Sequence, residues 1–303
     1  MYPYDILPGI DLYLIFLCVA VISAIVVYRI MADKLKIEAK LQNLCIFTAV
    51  AAIIGGYYSA VFFQALYNIK KYGKFIINSN TGATFYGGLI GGAVIFLLIY
   101  FIAGKYMFPQ KEHISRFFDI ADIAACSISI AHSFGRIGCL MAGCCHGKTT
   151  TAWFGINMLV DGRMQKVIPT QAFEAVFLIL LFVYLISRIK DKETYCLQIY
   201  MCVYGVWRFM IEYLRDDYRG STFIEVLTPS QLTAVLMVIA GIALIFLQRK
   251  LKNKVAAVAD GESASAEEEY EYEEEYDYSY GQSSNENESE ADGEEKTKDD
   301  SEN

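Results

Sequence analysis

Seven apolar runs, each closed by charged or turn residues, constrain this chain more than any other feature. They lie at about residues 11–28, 44–66, 87–103, 118–134, 170–187, 195–214 and 229–247. A bilayer's hydrocarbon core is crossed by about 20 apolar residues in a helix, and lipid offers no partner to unpaired backbone groups. The pattern predicts an all-α, polytopic membrane protein with seven transmembrane helices. Residues 1–10 hold no Lys or Arg, and the first run ends at Tyr28-Arg29 without a small-residue cleavage site. That run is therefore expected to be a span and not a cleaved leader.

The formal net charge of −8 averages two unlike parts. Residues 255–303 carry 19 Asp+Glu and 2 Lys, whereas residues 1–254 carry 24 Lys+Arg and 15 Asp+Glu. The chain is not an acidic soluble globule. It divides into a basic, apolar membrane domain at 1–254 and an acidic tail at 255–303, whose composition predicts disorder. Loops after the odd-numbered spans hold 14 Lys+Arg, and the opposite side holds nine. The positive-inside rule then puts the N-terminus outside and the C-terminus, with its tail, in the cytoplasm.

Unusual polar residues gather toward the expected outer face. In the sixth span Arg208, Glu212 and Arg215 fall within about 60° of one another on one helix face. An intramembrane arginine costs on the order of 2.5–3.5 kcal/mol, so Arg208 needs a partner or a polar cavity. An internal Arg208–Glu212 pair would satisfy that need, but a second arginine on the stripe leaves positive charge for an anion. Four glycines surround Arg136 between Gly135 and Gly147, where the fourth span emerges. Forked guanidinium donors suit a phosphate or phosphodiester. Gly87, Gly88, Gly91 and Gly92 form a small-residue pattern whose default reading is close helix packing.

Of eight cysteines, five sit in apolar runs and behave as small hydrophobes, while Cys139, Cys144 and Cys145 cluster beside His146. Their spacing lacks the paired C-x-x-C of zinc ribbons. Packing, or a Cys144–Cys145 disulfide, is at least as well supported as metal.

These motifs resemble the prolipoprotein diacylglyceryl transferase family of bacterial membrane enzymes. The resemblance is carried by Gly135-Arg136-Ile137-Gly138 running to Gly143 and Gly147, and by Tyr86-Gly87-Gly88-Leu89-Ile90-Gly91. Pro169-Thr170-Gln171 with Glu174, and Tyr204-Gly205 through Arg208, Glu212 and Arg215, follow in family order; Asp122 and Tyr13 fit further positions. It covers about residues 10–247. Departures are Tyr86 where the family commonly has His, Cys139 and Cys144 where it has Asn and Glu, Tyr57 in place of an arginine, and Ile168 before Pro169. The Gly-Cys-Cys-X-Gly form looks like a branch of the family.

The resemblance implies transfer of a diacylglyceryl group from phosphatidylglycerol to the lipobox cysteine of a preprolipoprotein, in the plasma or inner membrane, with the site toward the extracytoplasmic face. It implies catalytic roles for Arg136, Arg208, Tyr86 and Glu212. Substrate-binding roles fall to Arg136, Gly138, Cys139, Gly147, Gly87, Gly88, Gln171 and Glu174. No metal, organic cofactor or nucleic acid is expected, and on this scheme no enzyme thiol takes part. The proton acceptor stays open: a phenol ionising near ~10 is a poor base at neutral pH, while His132 and His146 have suitable chemistry but no independent support. A related phospholipid-dependent transferase with another acceptor, or a non-enzymatic binder of anionic lipid, is the alternative.

Overall fold

The computed structural model describes residues 9, 11–73, 75, 77, 81–160, 162–190, 195–216 and 226–253. The acidic tail lies outside them. Two units are distinguished, Met1–Ile245 and Phe246–Asn303. The helices are α1 (Leu12–Lys34), α2 (Ala39–Tyr72), α3 (Phe85–Met107), the single turn α4 (Glu112–Ser115), α5 (Phe117–Ala142), α6 (Thr170–Lys190) and α7 (Cys196–Ile211). A final helix, α8, runs over Pro229–Asn253.

Six of these, all but α4 and α7, are long and apolar enough to cross a membrane. The sixth predicted span is α7, which has 16 residues and continues as a 3-10 turn over Glu212–Leu214. Together they extend about 30 Å, close to a hydrocarbon core. Large side chains such as Phe47, Ile53 and Leu180 are exposed on the spanning helices. In water that would be a liability; in lipid it is the surface that must face outward.

The buried apolar cluster lies toward one end of the bundle. Tyr28 and Met31 of α1, Leu41 of α2, Tyr100 of α3, Ile123 of α5 and Leu185 of α6 meet there. Asp122 joins them from α5, accepting the backbone N–H groups of Tyr195 (3.1 Å) and Leu197 (2.9 Å) and so closing the start of α7. Small residues set a second contact. A side chain at Gly56 would meet the Gly88 carbonyl at 3.0 Å, and one at Gly87 would meet Phe63 at 2.6 Å. The glycine run of α3 therefore packs against α2, as the small-residue pattern predicts.

At the opposite end the chain leaves α5 through Gly143, whose φ of 75° and N–H bonds to Cys139 and Leu140 carbonyls terminate the helix. It crosses over the ends of α6 and α7 as a strap. Gly147 N–H donates to the Ile168 carbonyl and Lys148 N–H to the Leu214 carbonyl, both at 2.9 Å. Beyond the strap lies an antiparallel hairpin absent from the all-helical expectation, β1 (Ile156–Val160) with β2 (Arg163–Val167). Asp161-Gly162 between two short alternating runs is a hairpin signal that a search for spans passes over. Helix α8 opens with a capping box: Gln231 N–H donates to Thr228 Oγ1 (3.2 Å) and Thr228 N–H to Gln231 Oε1 (3.1 Å).

Gly147 is the tightest point of the strap. A methyl there would sit 2.6 Å from the Leu214 carbonyl oxygen and 2.8 Å from Thr170 Cγ2. Gly147→Ala should therefore push the strap off both helix ends. We expect a loss of about 1–3 kcal/mol, read as a lowered melting temperature in detergent; an unchanged transition would show the strap to be slack.

Candidate active site

Helices α5, α6 and α7 converge on one buried carboxylate. Glu174 opens the second turn of α6 and is fully buried. Its Oε2 lies 2.9 Å from Arg136 Nε, and its Oε1 accepts a hydrogen bond from the Tyr204 hydroxyl at 2.8 Å. His132, one turn before Arg136 on α5, brings Nε2 to 3.9 Å from the same Oε1 and packs its ring edge-on against Tyr204. Three helices thus meet through four side chains, two from α5 and one each from α6 and α7.

A second pair stands beside it. Arg208 Nη2 contacts Glu212 Oε2 at 2.7 Å and donates to Ser230 Oγ at 2.8 Å. Glu212 Oε1 accepts from Thr228 Oγ1 at 3.0 Å. Arg208 also acts electrostatically on both Glu174 and His132, so the two pairs share one environment. Among the described residues, Arg208 Nη1 is buried without a hydrogen-bond partner. The two ion pairs are thus Arg136–Glu174 and Arg208–Glu212, with the buried Arg215 just after Glu212 in the chain.

The remaining sequence candidates separate by position. Gln171 is fully buried and donates from Nε2 to the Cys144 carbonyl, and Thr170 Oγ1 donates to the Cys145 carbonyl at 3.1 Å. Both hold the strap. Gly138 lets α1 approach, since a side chain there would meet Tyr13 and Phe16 at 3.3 Å. Cys139 lies one turn after Arg136, on the last turns of α5. Tyr86 is half-buried in the first turn of α3, with Gly87 and Gly88 committed to packing on α2. His146 donates Nδ1–H to the Gly147 carbonyl at 3.0 Å. Asp122 is about 21 Å along α5 from Arg136, where it closes α7 and does not join the site.

The sequence marks Tyr204 only as part of a motif, without a role, and gives no sign that Thr228 and Ser230 belong to the site. The Thr228-Pro229-Ser230 start of the last span, a strong cap signal, marks where the latter two cluster.

The prolipoprotein diacylglyceryl transferase family matches residues 5–247. The chain belongs to that family. Named relatives agree. Phosphatidylglycerol–prolipoprotein diacylglyceryl transferase 2 of Clostridium perfringens is 31% identical over 223 residues, covering 72% of this chain and 82% of the relative. The corresponding transferase of Clostridium tetani is 30% identical over 202 residues, 64% of this chain and 76% of its own. That of Finegoldia magna is 29% identical over 253 residues, 82% and 94% respectively. No solved structure matches significantly. This member of the transferase family is thus a multi-pass membrane protein.

The Glu174 junction has a testable energetic signature. Glu174→Gln leaves Arg136 buried without its counter-charge and should cost about 3–5 kcal/mol. Tyr204→Phe removes one neutral donor and should cost only about 1–3 kcal/mol. Thermal unfolding of both variants in detergent checks the order; equal small losses would mean that Arg136 finds another anion.

Proposed function

We infer that the chain transfers the diacylglyceryl group of phosphatidylglycerol to the lipobox cysteine thiol of a preprolipoprotein, leaving glycerol phosphate. The observation that carries this reading is the gathering of Arg136 and Arg208 at one site, with Arg208 Nη1 buried and without a hydrogen-bond partner among the described residues. A buried donor without a partner costs about 1–3 kcal/mol, which a ligand phosphate would recover.

The chemistry asks for two things. The acceptor sulfur must attack as thiolate, and the leaving group carries developing negative charge. Arg136 and Arg208 bind the lipid phosphate and stabilise that charge as the glycerol C–O bond breaks. Glu174 and Tyr204 fix Arg136, and Glu212 with Ser230 and Thr228 fixes Arg208. These supports hold the guanidinium planes still, so little reorganisation is needed in the transition state. Gln171, Thr170 and Gly147 keep the strap beside them, Gly138 admits α1, and Tyr86, Gly87 and Gly88 border the lipid's approach at the start of α3.

The site opens on the extracytoplasmic leaflet of the bacterial plasma membrane, where a translocated signal segment and a lipid headgroup meet. The 14-to-9 bias of Lys and Arg supports this orientation. Residues 1–254 constitute the transferase domain and 255–303 an acidic cytoplasmic extension that the reaction does not use.

Arg136→Lys and Arg208→Lys retain charge and lose the fork. Each should lower transfer to a lipobox peptide by about 10²–10³ while the protein still inserts. Near-normal turnover in both would remove the arginines from the chemistry. A reporter fused after Lys254 should be cytoplasmic, and one in the hairpin at 156–167 extracytoplasmic. Reversed labelling would place the site on the other leaflet.

A further inference from the structure

The three clustered cysteines converge in space. The Sγ atoms of Cys139, Cys144 and Cys145 all lie within 4.8 Å of one another. Their sequence spacing hides this, because the convergence is made by the helix end. Gly143 turns the chain back on itself, and Cys144 N–H donates to the Cys139 carbonyl at 3.1 Å. Cys145 then takes a φ of 60°, left-handed backbone that a non-glycine residue adopts only when held there. The holding groups are Thr170 on the Cys145 carbonyl and the buried Gln171 on the Cys144 carbonyl. The loop is built to present sulfur.

Positive charge stands beside the sulfurs, Arg215 at Cys145 and Arg136 one turn before Cys139. Tyr13 of α1 lies within electrostatic reach of all three sulfurs. Cys144 is exposed, so an ion or a substrate reaches the cluster from water.

We propose that Cys139, Cys144 and Cys145 bind a thiophilic d10 cation of the zinc class, whose fourth position takes the acceptor thiol of the protein substrate. This rests on the transferase reading above and departs from the sequence-based expectation that no enzyme thiol takes part. Tetrahedral zinc with Zn–S bonds of about 2.3 Å sets sulfurs about 3.8 Å apart, a modest closure of the cluster. Three thiolates around a divalent ion sum to one negative charge, which Arg215 and Arg136 offset. Three protein ligands with one open position is the arrangement of catalytic zinc sites.

The consequence is a proton-transfer step that needs no histidine at position 86. A thiol coordinated to zinc is deprotonated outright. The acceptor S–H bond breaks as its sulfur binds the metal, and the proton passes to water. That sulfur's electron pair then forms the C–S bond to the glycerol carbon while the C–O bond to phosphate breaks, its pair leaving with glycerol phosphate. Nothing is oxidised or reduced. Cys139 follows Arg136 by one turn of α5, so the thiolate and the leaving phosphate are generated side by side.

The test uses the full chain purified in detergent. Zinc content by elemental mass spectrometry, and the sulfur-to-metal charge-transfer absorption of Co²⁺-loaded protein, should report one ion per chain. Cys139→Ser and Cys145→Ser should each weaken binding at least about tenfold, and Cys202→Ser, remote from the cluster, should not. A lipobox-cysteine peptide should shift the cobalt spectrum, and its serine counterpart should leave it unchanged. Chelation should abolish transfer and zinc should restore it. Cobalt binding indifferent to the substitutions, or a disulfide among the three trapped by alkylation in native protein, would overturn the site. Full transfer by metal-free protein would overturn its role while the transferase reading stands. Metal-loaded protein that shifts its spectrum with peptide but never alkylates it would instead sink the transferase reading.

Discussion

Burying a carboxylate in a membrane protein costs several kcal/mol unless another charge and a hydrogen bond meet it, and Glu174 is met by both. Arg136 comes from α5 and Tyr204 from α7, so the ion pair at 2.9 Å and the hydrogen bond at 2.8 Å tie three helices at one point. Lipid supplies no hydrophobic force between helices, which makes such polar junctions, with small-residue packing, the means of fixing their register. The α2–α3 contact uses small residues and the α5–α6–α7 contact uses charge. The first leaves apolar faces toward lipid; the second creates the polar end where chemistry is possible.

Much of this was legible in the sequence. Helical spans follow from run length, and the Arg208–Glu212 pair follows from a spacing of four on one face. Arg136 was marked by its glycines, although only the strap geometry shows that Gly147 is needed for clearance and Gly143 for the turn. What escaped was long-range. Nothing local to Glu174 says that its partners stand 38 residues earlier and 30 later. Nor does the spacing of Cys139 and Cys144 reveal that a helix end folds one back on the other. The hairpin was missed because a search tuned to spans discards short alternating runs, despite Asp161-Gly162. The seventh helix was found, but shorter than a typical span and completed by a 3-10 turn that carries Glu212.

The departures read from the sequence are Tyr57, Tyr86, Cys139, Cys144 and Ile168. Tyr86, Cys139 and Cys144 stand where the family commonly has His, Asn and Glu. The two cysteine changes fall within one cluster, beside Cys145 and under the charge of Arg136 and Arg215. Substitutions that gather in space and share one chemistry point to a replaced device for generating thiolate. The proposed phosphate-binding half keeps Arg136 with Glu174 and Arg208 with Glu212.

The central claim is that Arg136 and Arg208 at this junction are kept for a lipid phosphate. The most direct measurement compares binding of phosphatidylglycerol and of diacylglycerol, which shares the acyl chains and lacks the phosphate, to the purified protein in neutral-lipid nanodiscs. Phosphatidylglycerol should be held at least about tenfold more tightly, equivalent to about 1.4 kcal/mol, and Arg136→Gln should erase most of that preference. Equal affinity for the two lipids would mean that the arginines serve only to hold the helices together, and would contradict the account.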